Sequence, residues 1–320
     1  MQSRSTQFVR IVGCLALGLA AFSAQAREVT EVVVFGDSLS DPGNHFIAFG
    51  ESARRPFEPV PSASYAIGGH HFSNGRTWIE QLVRGPGAGP ALGREHCARN
   101  YAVGRARARA GAPDFPDYDL TTQVGLMLAD SSGALRKDRL YVLWIGGNDV
   151  RDALVVIASS GGSAASQLAA QQILAAAVQS IADNIVALYS GGAREFLVGN
   201  VPDPAATPVV RALGPSAQGV ATYLSGAFNT ALAGTLQSLR QALPGSQFIE
   251  FDANAVLHDI VADPAGSGFT DVTEPCLAFG VTRNTICRDP GSHLFWDGAH
   301  PTAAGHGAIA RAVAEQLAEH

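Results

Sequence analysis

Short apolar segments alternate along the chain with longer segments of helical periodicity. Most of the short segments are continuously apolar, which is typical of strands covered on both faces of a sheet. Five of them are predicted to be buried strands: residues 31–36, 100–103, 139–145, 194–198 and 247–251. Three segments with helical periodicity are predicted to be helices: residues 166–189, 217–242 and 303–319.

Residues at the helix ends support this pattern. Gly192 follows the first predicted helix, Pro244 follows the second, and Thr302 precedes the third as its N-cap. Strands that alternate with helices predict an α/β fold, here a three-layer α/β/α sandwich with a mainly parallel sheet of about five strands. Ligands of such sheets bind at the carboxyl ends of the strands, so functional residues are expected there.

Two long segments, residues 44–97 and 263–296, show no regular periodicity. Loops of this length in a compact domain usually form walls or lids of a functional site. The first segment is rich in aromatic side chains: Phe46, Phe49, Phe57, Tyr65, Phe72 and Trp78. These rings either line a groove for an acyl chain or pack the segment onto the domain, and the sequence leaves both interpretations open.

The N-terminus resembles a secretory signal peptide. Residues 1–26 carry two arginines and no acidic residue, contain an apolar run over residues 11–22, and end on Ala24-Gln25-Ala26. The apolar run is shorter than the roughly 20 residues that a membrane span needs. Cys14 precedes most of this run, which disfavours a lipid anchor. We expect cleavage after Ala26, a secreted or periplasmic protein, and a single domain over residues 27–320.

Composition narrows the classes of function. The formal net charge is −6 and no basic run occurs, so a nucleic-acid partner is not expected. Arginine alternates with alanine at one place, with arginines at Arg105, Arg107 and Arg109. Three arginines are too few to indicate a nucleic-acid-binding surface. The chain has no Gly-rich phosphate loop, no His-Glu-x-x-His and no paired Cys-x-x-Cys, so neither a cofactor nor a metal is expected.

The cysteines predict one disulfide. Cys276 and Cys287 flank ten residues of a loop rich in Gly, Pro and Thr, and an oxidising compartment favours a bridge between them. Cys97 has no partner in this scheme and is predicted to be a free, partly buried thiol.

Three short stretches carry candidate chemistry, although each also has a purely structural interpretation as a turn or helix cap. Ser38 follows the first strand, where the N–H groups of the next turn can stabilise an oxyanion. Asp297 and His300 lie three residues apart, and a serine nucleophile needs a base that a carboxylate orients. Asn148 follows another strand and can donate to the same oxyanion.

Taken together, these stretches resemble the GDSL, or SGNH, hydrolase family over nearly all of residues 27–320. Residues 34–41, 100–104, 146–149 and 297–301 are similar to four sequence blocks of that family. The resemblance implies that Ser38 is the nucleophile, His300 the base and Asp297 its orienting carboxylate. It implies an oxyanion hole formed by the Ser38 backbone, Gly104 and Asn148. The family usually has Gly-Gly in the second block, where this chain has Gly104-Arg105, so Arg105 is a rival donor.

The resemblance also suggests substrates. Residues 72–78 and 200–203 are similar to stretches of the branch that contains phospholipases, lecithinases and haemolysins. We therefore expect hydrolysis of lipid or other carboxylic esters through an acyl-serine, with acyl transfer to an alcohol as a variant and transient contact with a membrane surface. An acetyl-glycan esterase and a non-catalytic binding protein of the same fold are the alternatives. The absence of Gly-x-Ser-x-Gly disfavours the α/β-hydrolase lipases.

Overall fold

The computed structural model describes residues 31–50, 63–84, 97–111, 118–279, 283 and 285–319. The predicted signal peptide, Phe57 and the side chain of Cys97 lie outside the described part of the chain.

The centre of the fold is a sheet of five parallel strands in the order β2-β1-β3-β4-β5. The strands are β1 (Glu31–Gly36), β2 (Cys97–Asn100), β3 (Arg139–Trp144), β4 (Glu195–Gly199) and β5 (Gln247–Phe251). This confirms the predicted parallel α/β architecture. β1 lies between β2 and β3 in the sheet. The chain therefore passes from β1 to β2 on one side and then crosses to β3 on the other side.

One strand lies elsewhere than predicted. β2 ends at Asn100, the residue at which the prediction began it. The Asn100 side chain donates to the Ser40 carbonyl and accepts from the Ala102 N–H at 2.9 Å. The N–H groups of Tyr101 and Val103 still donate to the carbonyls of Val34 and Gly36 in β1. Ala102 and Val103 are nevertheless buried, at 0% and 5% exposure. Their apolar pattern therefore reflects a buried segment that stays hydrogen-bonded to β1 beyond the end of β2.

Helices cover both faces of the sheet: α1 (Asn44–Phe49), α2 (Ala63–Ala66), α3 (Trp78–Arg84), α4 (Leu120–Asp130), α5 (Gly147–Ser159), α6 (Ala164–Gly191), α7 (Pro208–Arg211), α8 (Pro215–Ala242), α9 (Ala253–Ala262) and α10 (Ala303–Ala318). The three predicted helices correspond to α6, α8 and α10. Segment 44–97, predicted to be irregular, contains the short helices α1, α2 and α3.

Alternate residues of β1 point into two separate cores. Val33 and Phe35 pack in a core with residues of α4, α5, α6 and α8, whereas Val32 and Val34 pack with residues of α3 and α10. β1 is continuously apolar because helices cover both of its faces in the three-layer arrangement.

α6 is also apolar and long enough to cross a membrane, but residues along its length are buried in the first core, as in a core helix.

The loop before α10 is held by a disulfide. Cys276 is bonded to Cys287, as predicted from their spacing. This loop packs in a small separate core that contains Tyr65, Phe72 and Trp296. The bridge therefore stabilises the loop that precedes α10.

Candidate active site

The carboxyl edge of the sheet brings the predicted residues of three segments together. Ser38 follows β1, and Asn148 lies in the first turn of α5, directly after β3. Because β1 and β3 are adjacent parallel strands, both side chains arrive at the same edge. Asp297 and His300 come from the loop that precedes α10.

Ser38, His300 and Asp297 form one chain of hydrogen bonds. The His300 Nε2 atom lies 2.8 Å from the Ser38 Oγ atom, and the His300 Nδ1 atom lies 2.7 Å from Asp297 Oδ2. The other carboxylate oxygen, Asp297 Oδ1, accepts from the N–H groups of Ala299 and His300 at 2.8 and 2.7 Å. The spacing of three residues thus closes a turn that aims the imidazole at Ser38.

The Asp297–His300 pair is electrostatically coupled. Burial raises the pKa of Asp297, but the positive charge of His300 and hydrogen bonds from His300 and Tyr65 outweigh burial, and the pKa is lowered overall. Burial likewise opposes protonation of His300, yet the charge of Asp297 and their hydrogen bond raise its pKa. The site therefore stabilises the imidazolium that forms when His300 takes a proton.

A second acidic group, Asp37, lies beside this chain. Asp37 is 4% exposed, and desolvation by burial raises its pKa to about 6, although the charge of His300 acts in the opposite direction. Its Oδ1 atom accepts from the Leu39 N–H at 3.0 Å, which fixes the turn that carries Ser38.

The structure argues against Gly104 as an oxyanion donor. Its N–H donates to the buried Asp41 carboxylate at 2.6 Å, so it is already engaged elsewhere. A Cβ atom at Gly104 would overlap the Phe72 ring, so glycine is required there for packing. Arg105, in contrast, has a φ of 71°, in the left-handed region that favours glycine. The backbone conformation expected of a second glycine is thus kept at Arg105, which is the better candidate for the backbone donor.

The Asn148 amide is held by a hydrogen bond to the segment after β2. Its Nδ2 atom donates to the Ala106 carbonyl at 2.9 Å, which uses one of the two amide hydrogens. Asn148 and Ser38 line the same pocket. The second amide hydrogen is the group that a bound oxyanion would require.

An apolar pocket of about 240 Å³ adjoins Ser38, Asn148 and His300. Its walls come from five parts of the chain and include Leu39, Leu154, Val209, Val256, Ile260 and Ile309. The described aromatic residues of segment 44–97 do not line it. Instead, Trp78 is fully buried 5.4 Å from the ring of Trp144, and Tyr65 and Phe72 pack in the small core. For Tyr65, Phe72 and Trp78 the packing interpretation is the correct one.

Comparison with known families adds the decisive observation. The family described as GDSL-like Lipase/Acylhydrolase matches residues 32–313. The chain belongs to this family. Members are esterases and lipases, and this chain is accordingly a serine ester hydrolase.

Several relatives of this GDSL hydrolase are known. A GDSL esterase/lipase of Arabidopsis thaliana is 27% identical over 349 residues, covering 97% of this chain and 94% of the relative. Another from the same plant is 29% identical over 330 residues, covering 90% and 86%. Among solved structures, the carbohydrate acetylesterase Est24 of Sinorhizobium meliloti has 15% identity and a TM-score of 0.46, covering 91% of this chain and 99% of that one.

The alternating arginines of this GDSL hydrolase attach the second block to α5, a role that the sequence did not indicate. Arg107 is 2% exposed and forms a two-point ion pair with Asp152, with both N–O distances at 3.0 Å. It also donates to the carbonyl of Arg105 at 3.1 Å. Arg109 donates to Asp149 at 2.6 Å. The left-handed turn at Arg105 is therefore fixed to the helix that carries Asn148.

Two histidines outside the Ser38 site, His71 and His45, are held by polar contacts of their own. The Nε2 atom of His71 lies 2.7 Å from Glu80 Oε2, and the Nδ1 atom of His45 lies 3.0 Å from the carbonyl of Gly104. Within the described ranges, no three His, Cys, Asp or Glu side chains are grouped as a metal site would require.

Proposed function

We propose that this GDSL hydrolase cleaves carboxylic esters with Ser38 as nucleophile, His300 as general base and Asp297 as the group that orients His300. The observation that carries the proposal is the unbroken chain from Ser38 Oγ through His300 to Asp297, which opens onto an apolar pocket. The pocket supports an acyl chain as the group held next to Ser38.

The reaction proceeds in two steps. His300 takes the Ser38 proton as Oγ attacks the ester carbonyl carbon, and the oxyanion accepts hydrogen bonds from the N–H groups of Ser38 and Arg105 and from the Asn148 amide. Return of the proton from His300 to the leaving alcohol gives an acyl-serine. His300 then activates water, which releases the acid and regenerates Ser38. If an alcohol enters in place of water, the same step transfers the acyl group to it.

The apolar pocket predicts a preference for acyl chains over acetyl groups. Each methylene transferred from water to an apolar wall contributes about 0.8 kcal/mol, or roughly fourfold in kcat/KM. We expect kcat/KM on a series of p-nitrophenyl esters to rise with chain length until the pocket is filled. Val256→Phe, which reduces the pocket, should lower kcat/KM for the preferred long ester about tenfold and spare the acetyl ester.

Val155→Phe is the matched control, because Val155 is 55% exposed on α5 and does not line the pocket. Its chain-length profile should follow that of the wild-type enzyme. A strong bias towards the acetyl ester, unchanged in Val256→Phe, would contradict the acyl-chain assignment and favour an acetyl-glycan esterase.

We further propose that α7 contacts a lipid surface at the pocket. Val209 is 51% exposed and also lines the pocket, and Leu213, shortly after α7, is 63% exposed. The Val209 N–H donates to the carbonyl of Gly298 at 2.9 Å, which attaches α7 to the loop between Asp297 and His300. With a net charge of −6, a zwitterionic surface fits this protein better than an anionic one.

The lipid-surface proposal predicts that substitutions at Val209 and Leu213 affect hydrolysis of vesicles but not of dissolved esters. The double variant Val209→Ser, Leu213→Ser should lose about 30-fold in activity on phosphatidylcholine vesicles and keep its activity on a dissolved butyrate ester, because burial of two aliphatic side chains contributes about 2 kcal/mol. Leu126→Ser, at a side chain 50% exposed on α4, is the control. Equal losses on both substrates would reject the proposal.

An exported location is proposed from the N-terminal sequence and is supported by the Cys276–Cys287 bridge, since disulfides persist in oxidising compartments. N-terminal sequencing of protein recovered outside the cytoplasm should begin at Arg27. A sequence that begins at Met1 would reject cleavage.

A further inference from the structure

The carboxylate of Asp297 has a hydrogen-bond donor besides His300. The hydroxyl of Tyr65 donates to Asp297 Oδ2 at 2.6 Å, across a sequence separation of 232 residues. The same oxygen faces His300 Nδ1 at 2.7 Å. The chain Ser38–His300–Asp297 therefore continues to a fourth side chain.

With the Tyr65 hydroxyl, each oxygen of the Asp297 carboxylate has two hydrogen-bond partners. Asp297 Oδ1 is held by the N–H groups of Ala299 and His300, whereas Oδ2 has the donors of Tyr65 and His300. Asp297 is 2% exposed, so water cannot readily replace a lost donor. Without the phenol, Oδ2 would direct all of its hydrogen-bonding capacity at His300.

The phenol is held rigidly in this position. Tyr65 is fully buried, and its ring lies 5.5 Å from that of Phe72, which lies 5.1 Å from the ring of His300. The loop closed by Cys276 and Cys287 packs in the same small core. Burial, followed by the charge of Asp297, raises the pKa of Tyr65 well above its usual value, so the hydroxyl keeps its proton wherever Asp297 is ionised.

We propose that Tyr65 is a positioning residue of the ester hydrolase, which shares the charge of Asp297 and thereby limits how strongly Asp297 holds the protonated His300. This inference rests on the proposed function of Ser38, Asp297 and His300. The hydroxyl of Tyr65 transfers no proton. It acts on the reaction only through the carboxylate.

The test is the pH dependence of kcat/KM, whose acid limb reports the protonation of His300 in the free enzyme. In Tyr65→Phe the carboxylate loses one donor and stabilises the imidazolium more strongly. We expect the acid limb to move to higher pH and kcat to fall about tenfold, as for the loss of one hydrogen bond to a charged group.

Tyr141→Phe is the matched control. Tyr141 is also fully buried, but its hydroxyl donates to the backbone carbonyl of Arg136 at 2.9 Å, remote from Asp297 in the fold. A general effect of losing a buried hydroxyl would appear in both variants, whereas an effect on His300 should appear only in Tyr65→Phe. An acid limb that stays in place or moves to lower pH in Tyr65→Phe overturns the proposal, whatever the change in kcat.

If Tyr65→Phe does not fold, site-specific replacement of Tyr65 by 3-fluorotyrosine decides the question, because the more acidic phenol is the stronger donor. The acid limb should then move to lower pH, and an unmoved limb overturns the proposal.

Ser38→Ala is assayed in parallel. Retained turnover in Ser38→Ala refutes the proposed function and the role of Tyr65 with it, whereas lost turnover with unmoved limbs refutes the role of Tyr65 alone.

Discussion

Ser38→Ala is expected to lower kcat on the preferred ester by roughly 10⁴-fold to 10⁶-fold, close to background. The reason is that no other nucleophile is held against His300: the Nε2 atom lies 2.8 Å from Ser38 Oγ and has no second hydrogen bond among the described residues. The pocket and the oxyanion donors remain, so a weak residual rate over water is expected. Steady-state kinetics on purified protein, with thermal unfolding to confirm folding, provide the measurement.

Ser40→Ala is the matched control for this result. Ser40 is fully buried two residues further along the same turn, and its hydroxyl accepts a hydrogen bond from Trp78 Nε1 at 3.0 Å. Removing it should lower the free energy of unfolding by about 1 kcal/mol and leave kcat nearly unchanged. A folded Ser38→Ala enzyme with wild-type kcat would contradict the assignment of the nucleophile.

Asn148→Ala is expected to lower kcat by about 10²-fold to 10³-fold, the usual cost of one oxyanion-hole donor. KM should change far less, because the amide meets negative charge that develops only in the transition state. The variant should fold, since Asn148 is half-buried and, within the described ranges, its loss leaves unpaired only the Ala106 carbonyl that accepts from it. Steady-state kcat and KM are measured on the preferred ester.

Asn184→Ala provides the comparison for Asn148→Ala. Asn184 is a buried amide on α6 that donates to Thr121 and to the carbonyl of Ser180. Its removal should affect stability and not kcat. Full turnover by Asn148→Ala would exclude Asn148 from the mechanism and would leave the backbone N–H groups as the oxyanion donors.

Much of the fold follows from local sequence patterns. β1 and β5 have the predicted limits. β1 is a short apolar run with clear ends, and β5 begins shortly after the turn at Pro244. β2 was placed too late because the segment after Asn100 is buried and still donates hydrogen bonds to β1, so it is as apolar as a strand. The short helices of segment 44–97 were missed because four to seven residues contain too little of a helical repeat.

The candidate site was predictable where its members lie in short motifs. The spacing of Asp297 and His300 indicates their pairing within one turn, whereas the relation of Ser38 to this pair was implied by the family resemblance. The partner of Tyr65 could not be predicted, because a separation of 232 residues leaves no local signal. The contact that disfavours Gly104 relative to Arg105 was unpredictable for a related reason. Its N–H is engaged by Asp41, 63 residues earlier in the chain.

The most direct test of the account is to treat the mature enzyme with a fluorophosphonate, which reacts with activated serine hydroxyls, and to locate the adduct by peptide mass spectrometry. The account predicts one adduct on the peptide that contains Ser38, loss of ester hydrolysis in proportion to labelling, and no adduct in Ser38→Ala. An active, folded enzyme that remains unlabelled at Ser38, or that is inactivated by an adduct on another residue, would contradict it.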